Sequence, residues 1–138
     1  MQKITIKTTK PKEILDITRV VNDLLIKNFY DKGVLMLFCT HTSCGITTAN
    51  LDPGTDEDIL AAYDAMIPKL NYNHPHDPSH VGDHIMSSII GASLSIPVQS
   101  ASMVLGSWQK VVLVELNGPK ERRIAVTFLP EPKSYASG

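Results

Sequence analysis

Scarcities narrow the possibilities first. Cysteine occurs only at Cys39 and Cys44. With no secretory leader ahead of them a structural disulfide is not expected, and a C-x4-C spacing suits zinc poorly, so both read as small buried hydrophobes. Charge of one sign is missing as well. Thirteen basic residues against 14 acidic ones leave a formal net charge of -1, which removes the whole-chain electrostatic footprint of a binder of nucleic acid or anionic membrane. No apolar run approaches the roughly 20 residues of a membrane span, and the opening Met-Gln-Lys-Ile-Thr-Ile-Lys has no signal-peptide core. These features predict a cytoplasmic protein without nucleic-acid or membrane partners, so an anionic ligand would have to be held locally. Neither G-x-x-x-x-G-K-[ST] nor G-x-G-x-x-G is present, and H-E-x-x-H and G-x-S-x-G are missing too. Nucleotide binding through glycine-rich loops and a serine nucleophile at Ser43 are therefore not expected.

What is present predicts one α+β domain over residues 1–138, with helices packed on a mixed or antiparallel sheet. Ile4 and Ile6 alternate with lysine and threonine, the period of an edge strand. Pro11 suits a first helical position, and Ile14, Ile17, Val21, Leu24 and Leu25 continue at helical spacing. The run 34–39 is too short for a lone helix and predicts a central strand that ends just before His41. Gly45 suggests a bulge or a close backbone approach beside a second strand at 46–48. Thr55 with Asp58 resembles a capping box for a helix whose apolar stripe is Ile59, Tyr63, Met66 and Ile67. Asp77-Pro78 opens a third helix through Ile85, Ile89 and Ile90 to Gly91. Strands are predicted around Ile96, 104–105 with Trp108-Gln109 in a strand run, 111–114 and 124–128. Asn117-Gly118 favours pairing of the last two, and 130–138 reads as a loose tail.

Histidine is the residue present in a pattern. Four of the five lie between His74 and His84, and the fifth, His41, opens His-Thr-Ser. Imidazole is the commonest metal ligand and titrates near neutrality. A strand end, a loop and the first turns of a helix can converge His41, His74 and His84, three ligands with one position left open, as in catalytic zinc sites. His76 and His80 have no assigned role, and Asp77 or Asp83 could orient a ligating ring. Alternation sends Arg122 and Arg123 to opposite faces of a strand, so one guanidinium at most meets a given site. A guanidinium near a helix start would suit a phosphate.

The ordered set His41-Thr-Ser, Asp52-Pro, Asp58, Tyr72-x-His74, His84-Ile-x-Ser-Ser-x-x-Gly91-x-Ser93, Gly106-x-Trp108-Gln109, Glu115 and Arg122-Arg123 resembles the YjbQ family. The resemblance implies a compact α+β subunit assembled as a homotrimer, with the histidine site near a subunit boundary. It also implies weak thiamine-phosphate synthase activity, the joining of hydroxymethylpyrimidine pyrophosphate to thiazole phosphate. Carried over by motif, the catalytic set is His41, His74, His84, Gln109 and Arg123, with Ser43 and Arg122 as substrate contacts. The histidines are also the expected ligands of a divalent metal, zinc first, with magnesium accompanying a pyrophosphate substrate. A metal-dependent hydrolase of a small phosphorylated metabolite and a non-catalytic trimeric scaffold are the alternative readings. The chain departs from the family pattern at 47–52, which is one residue short and lacks the Asn-Glu before Asp-Pro, and at Gly82, where relatives carry histidine.

Overall fold

A computed structural model describes residues 1–74 and 78–132. The alternating N-terminus forms β1 (Gln2–Lys7), an edge strand as its pattern predicts. It is followed by β2 (Glu13–Asp16), α1 (Thr18–Lys27), β3 (Gly33–Cys39), β4 (Cys44–Ala49), α2 (Thr55–Met66), a single 3-10 turn (Pro78–His80) and α3 (Val81–Ile90). The chain closes with β5 (Ser93–Gln99), β6 (Ser102–Met103), β7 (Lys110–Glu115) and β8 (Glu121–Pro130). Two antiparallel sheets result, one in the order β1-β8-β3-β5-β6 and one in the order β2-β7-β4.

The sheets share a core. Leu35 and Leu37 of β3 with Ile124 and Val126 of β8 meet Val111 and Leu113 of β7, while Val21 and Leu25 of α1 join the same cluster. Strand β7 is buried on both faces. Its other side, Val112 and Val114 with Leu116 beyond, packs against Met86 of α3 and Leu60, Tyr63 and Ile67 of α2. The helices therefore occupy different positions. Two cover the small sheet, whereas α1 enters the core between the sheets.

Several expectations change. Residues 13–16 pair with β7 as a strand, and α1 begins only at Thr18, because Ile14 is required by the small sheet. The predicted β7–β8 hairpin does not form: β7 lies between β2 and β4, and β8 between β1 and β3. Both neighbours of β7 are already in place, so residues 116–120 cross from one sheet to the other. The crossing is held by Thr8 N–H donating to Lys120 O and Gly118 N–H to Pro11 O, each at 2.9 Å. No side chain caps α2; its cap is Gly54 at φ 87°, a left-handed conformation that glycine adopts readily. In the helix stripes Met66 and Ile89 are exposed, while Leu60 and Met86 pack inward. Trp108-Gln109 lies in the turn before β7, and 104–105 lie beyond β6. Pro130 is still paired with Gly33, and Glu131 N–H donates to Lys32 O at 2.9 Å, so these two residues of the expected tail are held against the sheet. Asp77 and His76 lie outside the described residues.

Candidate functional site

The loop 40–43 between β3 and β4 is the centre of the site. Strand β3 carries Leu35, Leu37 and Cys39 inward and hands the chain to Thr40 and His41 at the rim of the larger sheet. There the Arg123 backbone N–H donates to His41 Nε2 at 2.9 Å. A backbone amide only donates, so neutral His41 carries its proton on Nδ1. Burial, reinforced by the Arg122 charge, holds the His41 imidazole below its ordinary 6.5.

The next residue anchors a second histidine. His84, in the first turns of α3, lies 2.8 Å through Nδ1 from Thr42 O. A carbonyl only accepts, so Nδ1 bears hydrogen and the Nε2 lone pair is left for a ligand. The helix is fixed in turn to the strand edge: Ser87 Oγ donates to Cys44 O at 2.6 Å, and Ile46 N–H donates to Gly91 O at 3.0 Å. Close approach is possible because Gly45 has no side chain. A Cβ there would stand 2.6 Å from Ile90 Cγ2. His74, from the segment after α2, sets its ring edge-on to His84 with centroids 4.9 Å apart.

Behind the loop lies a buried ion pair. Arg122 is 2 % exposed and Glu115 0 %. Arg122 Nε donates to Glu115 Oε2 at 2.7 Å, its Nη2 pairs with Glu115 Oε1, and the same Nη2 reaches Ser43 Oγ at 2.9 Å and Ser43 O at 3.0 Å. Burial pushes the Glu115 carboxyl up, but hydrogen bonds from Arg122, the Asn117 N–H and Thr8 together hold it below its ordinary value. Burial pushes Arg122 down, and the hydrogen bond and charge of Glu115 more than reverse that. Beside this pair the Cys39 and Cys44 sulfurs approach to 2.9 Å. The Cys44 thiol and the Arg122 charge hold Cys39 below its ordinary value, while the bond to Cys39 together with burial pushes Cys44 up.

The residues expected from sequence thus separate into groups. His74 and His84 come together; His41 adjoins Thr42, whose carbonyl anchors His84, but its own ring meets the Arg123 amide. Ser43 and Arg122 are spent on each other and on Glu115, so they support the loop from within and do not face a ligand. Arg123 is on the opposite face, its side chain 60 % exposed and 3.6 Å from Glu121. Gln109 is elsewhere: its Oε1 accepts from Gly106 N–H at 3.0 Å and its Nε2 donates to Thr48 Oγ1 at 3.1 Å, at the end of β4 away from the loop. Asp83 does not orient His84. It pairs with Lys12 at 2.9 Å and with His80 at 3.3 Å.

As a metal site the fit is partial. Among the described residues no three His, Cys, Asp or Glu side chains form a metal-holding group. His84 has the anchored-Nδ1, free-Nε2 form typical of a ligand, with His74 next to it, whereas His41 turns its lone pair to the Arg123 amide. A separate cavity of about 500 Å³ opens between α2 and α3, lined by Lys12, Tyr63, Ile67, Tyr72, Asp83 and Leu116, and none of His41, His74 and His84 lines it. Two features of the site were given no role from the sequence. The Thr42 carbonyl is backbone and leaves no residue-type signal. Glu115 left one, a carboxylate ending a run of buried valines and leucine, which requires a buried cation.

Among the described residues, no helix is long and apolar enough to cross a membrane. The family described as UPF0047 protein YjbQ-like matches residues 2–131. The chain is 34 % identical over 130 residues to UPF0047 protein YugU of Bacillus subtilis, covering 94 % of this chain and 98 % of YugU. It is 33 % identical to UPF0047 protein MJ1081 of Methanocaldococcus jannaschii, covering 92 % of each. A crystal structure of a YjbQ/UPF0047-family protein from Clostridium acetobutylicum superposes with a TM-score of 0.83 at 30 % identity, covering 94 % of this chain and 100 % of that one.

Proposed function

Because the chain belongs to the YjbQ-like UPF0047 family, we propose that the loop 40–43 and His74/His84 form a site for a small phosphorylated heterocycle. Its reaction is a weak thiamine-phosphate synthase-type transfer. The observation that carries this reading is the His84 tautomer, whose Nε2 lone pair is presented beside His74. In the transfer, the thiazole nitrogen attacks the methylene carbon of hydroxymethylpyrimidine pyrophosphate, and the carbon–oxygen bond to pyrophosphate breaks. His41 donates from Nδ1 to an anionic oxygen, and exposed Arg123 supplies positive charge near the rim. Where no metal occupies it, His84 Nε2 accepts a hydrogen bond and orients the second substrate. A divalent metal, zinc on His84 and His74 or magnesium arriving with the pyrophosphate, would supply Lewis-acid neutralisation of the leaving group when bound. Few cations line the loop, and the expected rate is correspondingly low.

Assembly as a homotrimer belongs to the same proposal. The outer face of the larger sheet carries Val34, Met36 and Phe38, 39 %, 41 % and 51 % exposed, bordered by small residues at Ser93, Ser95, Ala125 and Thr127. That flat apolar column, ending near His41 and Arg123, suits closed cyclic packing against further copies. Such packing also offers Gln109 and exposed Trp108 a neighbouring subunit's site, which they do not reach within their own chain.

Thiamine phosphate formed from the two precursors, with magnesium or zinc added, is followed by chromatography. Wild type should make product, and His84→Ala and His74→Ala should lose it by at least about tenfold, the scale of removing one positioned catalytic group. Equal product from wild type and both variants would exclude the pair. Histidine-dependent phosphate release from other phosphorylated metabolites, without thiamine phosphate, would replace the transferase by the hydrolase.

A further inference from the structure

The buried thiols remain outside this chemistry, and their placement is specific. Cys39 ends β3 and Cys44 begins β4, so the pair spans both flanks of the loop that carries His41, the Thr42 carbonyl and Ser43. Their sulfurs stand 2.9 Å apart, against a bonded separation of about 2.05 Å. An approach of under about 1 Å by the two flanks therefore joins them. The exposures are 1 % for Cys39 and 0 % for Cys44. A tripeptide thiol is excluded at that depth, whereas hydrogen peroxide, close to water in size, needs only a small opening of the loop, whose Thr40 and Thr42 are exposed.

We propose that Cys39 and Cys44 are a reversible dithiol–disulfide couple oxidised by peroxide, and that its oxidation closes the base of the site loop. One sulfur attacks a peroxide oxygen: an S–O bond forms, the O–O bond breaks, and water leaves with the first thiol's proton. The second sulfur attacks the resulting sulfenic sulfur. An S–S bond forms, the S–O bond breaks, and the hydroxyl leaves as a second water with the second thiol's proton. Two thiols are oxidised and one peroxide is reduced. The neighbouring sulfur is held at contact distance and no competing thiol enters, so the sulfenic acid resolves to the disulfide before further oxidation. Closure draws together the strand ends on either side of His41 and Thr42, and the anchor of His84 moves with them.

Intact-mass measurement of native protein before and after hydrogen peroxide tests this. The expected result is a loss of about 2 Da, for the two hydrogens removed, at unchanged oligomeric mass and circular dichroism, reversed by dithiothreitol. Peptide mapping should place the link between Cys39 and Cys44, and neither Cys39→Ala nor Cys44→Ala should show the loss. Methionine sulfoxide in the same spectra proves the dose. Sulfoxidised protein with both thiols intact, thiols driven to sulfinic acid, or a disulfide that forms only in urea would each overturn the proposal. Peptide mapping of the wild type alone decides it should either alanine variant fail to fold.

Discussion

Replacing Arg122 by methionine removes the cation from a carboxylate that is 0 % exposed while keeping a side chain of similar length. Breaking one partner of a buried pair costs about 3–5 kcal/mol, a large share of the roughly 5–15 kcal/mol that holds a domain folded. For a chain of this length that corresponds to a fall in melting temperature of about 10–20 °C. The pH dependence identifies the cause. In the wild type the folded Glu115 carboxyl lies below its ordinary 4.5, so its contribution is fully present above that value and lost as pH falls through the folded one. Without Arg122, burial, the largest influence on this carboxyl, is opposed only by the hydrogen bonds of the Asn117 N–H and Thr8, and the carboxyl rises above its ordinary value. The variant's folded state then gains from protonation, and its stability falls as pH rises through the raised value. The difference between the two proteins should therefore be largest near pH 7 and shrink near pH 5. Urea unfolding at both pH values, followed by far-ultraviolet circular dichroism, measures it. Removing both charges in Glu115→Leu/Arg122→Met should recover most of the loss, since no uncompensated charge remains. A loss under about 1 kcal/mol at pH 7, or one equal at the two pH values, would refute the account.

His41 should titrate below its ordinary 6.5, with nitrogen shifts of an Nδ1–H tautomer, in an NMR titration; an Nε2–H tautomer would contradict the Arg123 contact. Gly45→Ala should destabilise by about 1–3 kcal/mol, because its Cβ would lie 2.6 Å from Ile90 Cγ2, and adding Ile90→Ala should return part of that in thermal melts. Phe38→Glu should reduce a light-scattering mass from three times the 15.1 kDa chain to that of one chain; a wild-type monomer at micromolar concentration would remove the trimer.

Strand β3 was legible because its inward and outward positions are bounded by a turn on one side and His-Thr-Ser on the other. Gly45 was legible for a related reason: glycine beside a strand implies something close by. Where reading failed, tertiary partners decided. Ile14 suits a helix or a strand, and only the exposed edge of β7 selects the strand. Asn117-Gly118 carries a local hairpin preference, yet β7 already has two neighbours, so the connection becomes a crossing. At the site, the convergence of His74 and His84 could be anticipated from their elements. The ring tautomers could not, because both are set by backbone groups, the Arg123 amide and the Thr42 carbonyl. Likewise each cysteine is correctly a buried residue, but the contact between them arises only when the two strand ends meet.

The two central histidines are held by different kinds of support. His84 rides on a helix tied to β4 through Ser87 and Gly91, whereas His74 follows a segment without regular structure that starts after α2. A ligand gripping both therefore depends on a stretch whose course is set by side-chain contacts, such as Tyr72 Oη to Pro68 O, and not by a helix or strand ladder. Substitutions near residues 68–73 can then tune affinity while leaving the fold and the His84 geometry untouched, which makes this stretch the place where relatives on the same scaffold can diverge in what they hold.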